Sequence, residues 1–188
     1  MLTERFDEAL AYASRVHREQ CRKGTDTPYI SHLLGTAAIA LENGADEDQA
    51  IAALLHDAVE DQGGAARLAD IRARFGERVA EMVDHCTDTD IEPKPPWRAR
   101  KEAYIASLAR KPTASLAVSL ADKTHNAGAI VADLASVGEV VWDRFTGGRD
   151  GSLWYYNSLV TAFRERIGGA GAERLAVLVE EMCRFRQK

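Results

Sequence analysis

No stretch of this chain alternates apolar and polar residues with the period of two that a half-buried strand needs. Apolar residues recur instead three and four positions apart along almost its whole length. Leu2, Phe6, Ala9, Leu10, Ala13 and Val16 make the first helical stripe, with Gly24 as a downstream stop. Pro28 opens a second helix that passes through His32, Leu33 and Ala37 to about Leu41, before Asn43-Gly44. Asp46 and Gln49 form a capping-box signature for a third helix, which carries IAALLHDAVED and ends before Gly63-Gly64. The stretches LADIRARF and ERVAEMVDHC flank Gly76, and a proline-stiffened loop, TDTDIEPKPPW, follows. A helix from about Arg98 to Ala109 must stop by Pro112, and ASLAVSLADKTHNAGAIVADL comes next. A variable segment spans about Ala135 to Gly151, and two helices near 153–167 and 172–186 are parted by Gly168-Gly169. No repeat, low-complexity tract or domain linker interrupts this pattern. The chain therefore predicts one all-α domain, a multi-helical bundle over residues 1–188.

Charge and composition narrow the function classes. The formal net charge of −5 opposes nonspecific binding to nucleic acid, and an anionic small molecule would need a local basic patch. No apolar run reaches transmembrane length, and the start, MLTERFDEALAY, is charged and lacks a signal-peptide core. The expectation is a cytoplasmic protein without a membrane partner. Cys21, Cys86 and Cys183 are widely spaced and form no CxxC pair, so they read as reduced cysteines packed as small apolar groups.

The chemistry concentrates in His56-Asp57-x-x-Glu60-Asp61. On a continuous helix these four share one arc, with His56 four residues from Glu60 and Asp57 four from Asp61, while Ile51, Leu54, Leu55, Ala58 and Val59 occupy the opposite arc. A solvated polar face explains that pattern as well as a site does, but three crowded carboxylates repel one another, and a cation would relieve them. His32 lies on the preceding helix. Asp122 ends an uncharged run, Ala114–Ala121, that reads as a helix buried nearly all round; a buried carboxylate there needs a metal, a donor set or a cation such as Lys123. Together His32, His56, Asp57 and Asp122 make a two-histidine, two-carboxylate set that leaves room for two waters in an octahedral shell. That suits manganese or iron better than a closed zinc site.

His…His-Asp…Asp in this order resembles the HD superfamily. Arg22-Lys23-Gly24, Thr27-Pro28-Tyr29-Ile30-Ser31-His32, Ala53–Asp61, Phe75-Gly76, Thr87-Asp88 and Leu120-Ala121-Asp122-Lys123 with Asn126 resemble the hydrolase domain of Rel/SpoT proteins over roughly residues 5 to 165. The length is similar to that of the stand-alone small alarmone hydrolases. The resemblance implies an HD-domain bundle that takes pyrophosphate from the 3′ position of (p)ppGpp. It implies one Mn²⁺ held by His32, His56, Asp57 and Asp122, and Glu60 and Asp61 positioning and deprotonating the attacking water. It further implies Arg22 and Lys23 along the guanine base and Asn126 at the ribose. The basic segment Lys94 to Lys101, with Lys94 and Arg98, reads either as a clamp for the 5′-phosphates or as a solvated helix start. Trp97 reads as an anchor for that loop, and Tyr155 as a ribose-pocket or core residue. His125 departs from the pattern and reads either as a solvent-facing residue or as a contact to substrate phosphate; His17 and His85 have no motif support. Another nucleotide substrate such as (p)ppApp or NADPH, or a silent nucleotide-binding protein, are the alternatives.

Overall fold

The computed structural model describes residues 1–87 and 95–185, and among these the only extended pairing is an isolated bridge between Cys21 and Pro28. The helices are α1 (Glu4–Val16), α2 (Ile30–Glu42), α3 (Glu47–Leu55), α4 (Ala58–Asp61), α5 (Gly64–Phe75), α6 (Glu77–Cys86), α7 (Trp97–Leu108), α8 (Thr113–Val137), α9 (Gly148–Arg166) and α10 (Gly169–Arg184). A 3₁₀ segment, Gly138–Arg144, joins α8 to α9. The all-α expectation is met. No helix among the described residues is long and apolar enough to cross a membrane.

Helix α8 is the spine. Val118 and Ala121 on one side complete a core with α1 to α6, built of Leu33, Ile51, Leu54, Leu55 and many alanines. Leu116, Leu120, Ala127 and Ile130 on the other side join a second core from α7, α9 and α10, rich in rings: Tyr104, Trp142, Tyr155, Tyr156 and Phe163. Asp46 caps α3 as expected, accepting from Gln49 N at 3.0 Å while the Gln49 side chain accepts from Asp46 N at 2.9 Å.

Three boundaries differ from the sequence pattern, each for a local reason. Helix α1 ends at Val16, well before Gly24. Residues 17–29 instead fold back on themselves, with Arg22 N donating to Thr27 O at 2.8 Å and Tyr29 N to Gln20 O at 2.9 Å. Gly24, at φ 73°, takes the left-handed backbone that this turn requires. Helix α2 begins at Ile30, because Pro28 closes the loop and its carbonyl accepts from Ser31 N at 3.1 Å. The helix expected to run through HDAVED is interrupted at His56-Asp57, where Asp57 sits at φ −95°, ψ −5°. The segment from 135 to 151 holds the end of α8, the 3₁₀ segment and the start of α9.

Candidate active site

Three elements bring four side chains to one point: His32 from the first turn of α2, His56 and Asp57 from the break between α3 and α4, and Asp122 from the middle of α8. His32 Nε2 lies 3.2 Å from His56 Nε2, 3.3 Å from Asp57 Oδ2 and 3.3 Å from Asp122 Oδ1. His56 Nε2 lies 3.0 Å from Asp57 Oδ2 and 3.5 Å from Asp122 Oδ1. Donors held about 2.1 Å from one divalent ion stand about 3.0 Å apart at adjacent octahedral corners, so these separations fit a single shared ion. The chemistry fits too. His56 Nδ1 faces Ala53 O at 2.8 Å, an acceptor that would keep the proton of a neutral ring on Nδ1 and free Nε2 for a metal ion. His32, His56 and Asp122 are 1%, 2% and 5% exposed, whereas along the polar arc exposure rises from buried His56 through half-buried Asp57 and Glu60 to exposed Asp61.

The buried charges are strongly coupled. Burial alone would lower the His56 pKa, but Asp57 and Asp122 overcome it and raise the group well above its usual range. Burial alone would raise the two carboxyls; His56 and His32 pull Asp57 well below its usual range, and Lys123, then His56, do the same for Asp122. Asp122 serves both readings made of it: Oδ2 accepts from Lys123 Nζ at 2.6 Å, while Oδ1 faces the histidines and accepts from Asn126 Nδ2 at 2.6 Å. Tyr29 donates to Asp57 Oδ2 at 2.7 Å, and its hydroxyl proton is held tightly by burial and by that carboxylate.

The cluster opens into a cavity of about 630 Å³ whose walls include Asp57, Glu60, Arg22, Lys23, Arg100, Lys101, Lys123, Asn126 and Tyr155. Positive charge and aromatic rings thus share one space with the half-buried carboxylates of Asp57 and Glu60. Arg22 donates to Asn126 Oδ1 at 2.7 Å and lies over the Tyr29 ring, joining the 17–29 loop to α8.

A family model described as "HD domain" matches residues 9–153. The chain belongs to the HD-domain family. Among curated proteins it is similar to the guanosine-3′,5′-bis(diphosphate) 3′-pyrophosphohydrolase MESH1 of Xenopus tropicalis, 37% identical over 122 residues, which are 63% of this chain and 65% of that protein. The Drosophila melanogaster protein of the same name is 35% identical over 125 residues, 65% of this chain and 67% of that one. The alignments thus span about two thirds of these relatives. A solved structure described as a metazoan ortholog of SpoT that hydrolyses ppGpp superposes with a TM-score of 0.76 at 29% identity, covering 98% of this chain and 96% of that one.

In this HD-family chain the remaining expected residues fall in distinct places. Glu60 lines the cavity; Asp61 does not, and its carboxylate accepts from Gln20 Nε2 at 2.8 Å. Partial desolvation, then Asp57 and Glu60, raise the Asp61 pKa even though its residue surface is open to solvent. Lys94 lies outside the described residues. Arg98, expected in the clamp, lies outside the cavity wall: it stacks 3.2 Å above the Trp154 ring and donates to Glu102 at 2.8 Å. Arg100 and Lys101 face the cavity instead. Trp97 packs against Trp154 and Tyr155 and sits where side chains on Gly147 and Gly151 would collide, which makes it the anchor expected. Tyr155 is both core and wall, 7% exposed, with Lys101 Nζ 5.1 Å from its ring centre.

His125 is half-buried and lines the cavity rather than standing free in solvent. Its Nδ1 is 2.9 Å from His32 Nδ1, and burial, then the neighbouring His32, lower its pKa to about 4. The helix pattern carries no signal for that meeting, because it joins α2 to α8. Tyr29 and Gln20 were likewise missed as site residues; Tyr29 lies inside the Thr27–His32 motif, which was its only sequence mark.

Proposed function

We propose that this protein is a manganese-dependent hydrolase of ppGpp and pppGpp that releases pyrophosphate from the 3′ position. One observation carries the reading: an N₂O₂ cluster with 3.0–3.5 Å spacings reaches, through Asp57, the wall of a cavity with basic and aromatic lining. His32, His56, Asp57 and Asp122 would hold the ion, which when bound supplies Lewis acidity at a phosphoryl oxygen and acidifies the attacking water.

The chain's own residues do the rest. Glu60, on the cavity wall one turn from His56, orients the water and takes its proton as the water oxygen bonds to the phosphorus on O3′. The O3′–P bond breaks, O3′ stays with the nucleotide, and the two phosphoryl groups leave together as pyrophosphate. Asp61, held by Gln20, stands next to Glu60 at the edge of the site, and burial, then Asp57, raise its own pKa. Lys123 neutralises Asp122 while facing the cavity, and Arg22, Lys23 and Asn126 line the end assigned to the nucleoside. Arg100 and Lys101 offer charge to the 5′-phosphates, and Tyr155 an apolar face.

Turnover of ppGpp in ¹⁸O-water with Mn²⁺, read by ion chromatography and mass spectrometry, tests this. The expected products are GDP and pyrophosphate, with the label in pyrophosphate. Label in GDP, or orthophosphate alone, moves the assignment to another nucleotide phosphohydrolase, with (p)ppApp and NADPH as the next substrates. No turnover of any of these with Mn²⁺ present moves it to a silent nucleotide-binding protein.

A further inference from the structure

We propose that His125 is a positioning residue for the metal centre: it accepts the Nδ1 proton of His32 and so fixes the tautomer whose Nε2 faces the ion. The inference rests on the metal reading above and extends it to a residue outside the ligand set.

A neutral imidazole carries one N–H, and the nitrogen that meets a cation must present a lone pair. Both ligand histidines therefore need their proton on Nδ1, with an acceptor to keep it there. His56 finds one on its own helix, Ala53 O at 2.8 Å. Among the described residues no backbone carbonyl partners the His32 ring. Its Nδ1 meets His125 Nδ1 at 2.9 Å, while Thr36 Oγ1 stands at 3.5 Å, the edge of hydrogen-bonding range. With His125 carrying its own proton on Nε2, its Nδ1 lone pair is the acceptor that His32 requires.

The helices are built to allow this approach. His125 follows Asp122 by one turn of α8, so one helix face delivers both a ligand and the acceptor behind another ligand. Gly35 follows His32 by one turn of α2, and there the His125 ring lies flush against the backbone. A Cβ at position 35 would fall 2.1 Å from His125 Cδ2 and 2.2 Å from Nε2, so any other residue must displace the ring. Glycine within a helix costs roughly 1 kcal/mol relative to alanine, and here it opens the space that the His–His contact occupies.

Outer partners of metal-bound histidines typically change affinity by about 10–100-fold when removed. Mn²⁺ titration of the metal-stripped protein, followed by the EPR of free Mn²⁺, should show that loss in His125→Ala. Gly35→Ala, which leaves His125 in the chain, should show a smaller loss in the same direction. His125→Asn returns an acceptor near the Nδ1 position and should recover most of the affinity. Long-range ¹H–¹⁵N spectra of the metal-free imidazoles should show His32 as the Nδ1–H tautomer in the wild type and a mixture in His125→Ala. Unchanged Mn²⁺ affinity and an unchanged His32 tautomer in His125→Ala overturn the inference while leaving the metal site standing. Equal losses in His125→Ala and His125→Asn, with lowered thermal stability in both, reduce His125 to a packing role and overturn it too. A wild-type protein that binds no Mn²⁺ overturns the metal reading itself.

Discussion

The two cores on either side of α8 are packed from different materials. The core of α1 to α6 is aliphatic and rich in alanine: Ala50, Ile51, Ala52, Ala53, Leu54 and Leu55 on α3 are all fully buried. Small side chains let backbones approach closely, which lets His32, His56 and Asp57 gather as a group that could hold a metal ion, with Asp122 beside both histidines. The core of α7 to α10 is built of rings, several with hydroxyls or an indole N–H, and one edge of it forms the cavity wall at Trp97, Tyr155 and Tyr156. Rings with polar tips leave gaps and hydrogen-bonding groups that a ligand can use. On the function proposed above, the bond-breaking chemistry falls to the first region and the hold on the 5′-phosphates to the second, with the nucleoside end at Arg22 and Asn126 on the first region's side. The HD-domain match, residues 9–153, holds the first region from the middle of α1 onward and stops early in α9.

Breaking the first region should have the largest effect. His56→Ala and Asp122→Ala each remove a donor and leave the opposite buried charges uncompensated. Both should lose Mn²⁺ and turnover together, by more than the roughly 100-fold expected for an outer partner. Metal analysis of the purified variants beside a ppGpp assay reads both quantities; full turnover by metal-free protein would falsify the division drawn here. Glu60→Gln comes next. It should keep the ion and lose kcat by about 10²-fold or more, as removal of a general base does. Asp61→Asn should lose less than Glu60→Gln, because Asp61 is turned toward Gln20. The reverse order would place the water on the Gln20 side of the centre.

What could be read in advance follows the same division. The gathering of His32, His56, Asp57 and Asp122 was legible because a helix holds side chains at known angles, and because a charge after eight uncharged residues, as at Asp122, is abnormal in any buried segment. The break at His56-Asp57 was not legible. Its residues keep nearly helical dihedrals, so periodicity continues across it, and only tertiary contacts show where the hydrogen-bond ladder stops. The second region hides more. Arg98 and Arg100 are indistinguishable in a basic run, yet one stacks on Trp154 and the other faces the cavity, a difference set by where α9 places its rings. The meeting of His32 with His125 depends on Gly35, whose need for space has no counterpart in one-dimensional patterning.

The second region should respond in KM rather than in kcat. Arg100→Ala or Lys101→Ala should raise KM for ppGpp by about 10-fold with kcat little changed, since phosphate contacts remote from the broken bond act equally on ground and transition states. Arg98→Ala should leave KM unmoved, because its guanidinium is engaged with Trp154 and Glu102. Steady-state kinetics on the three variants sharpens the comparison. Equal KM effects from Arg98 and Arg100 would show that the clamp closes differently around substrate.

The smallest effect expected lies at the foot of α3, the helix that ends in His56. Asp46 caps it through Gln49 N and also pairs with Arg78, whose Nη2 is 2.6 Å from Oδ2. Arg78 is the largest cause of the lowered Asp46 pKa, with the Gln49 backbone contributing in the same direction. A carboxylate depressed in the folded state stabilises the fold above its unfolded pKa and loses that contribution as pH falls through its folded value. Asp46→Asn keeps an oxygen for the cap but removes the charge, whereas Asp46→Ala removes both. Thermal unfolding in chelator should therefore rank wild type above Asn above Ala at neutral pH, with the alanine about 1 kcal/mol below wild type. The gap between wild type and Asn should close as the pH drops through and below the usual carboxylate range, while the gap between Asn and Ala persists. An Asn variant that matches wild type at every pH would leave the cap as the whole contribution and the Arg78 pair as surface decoration.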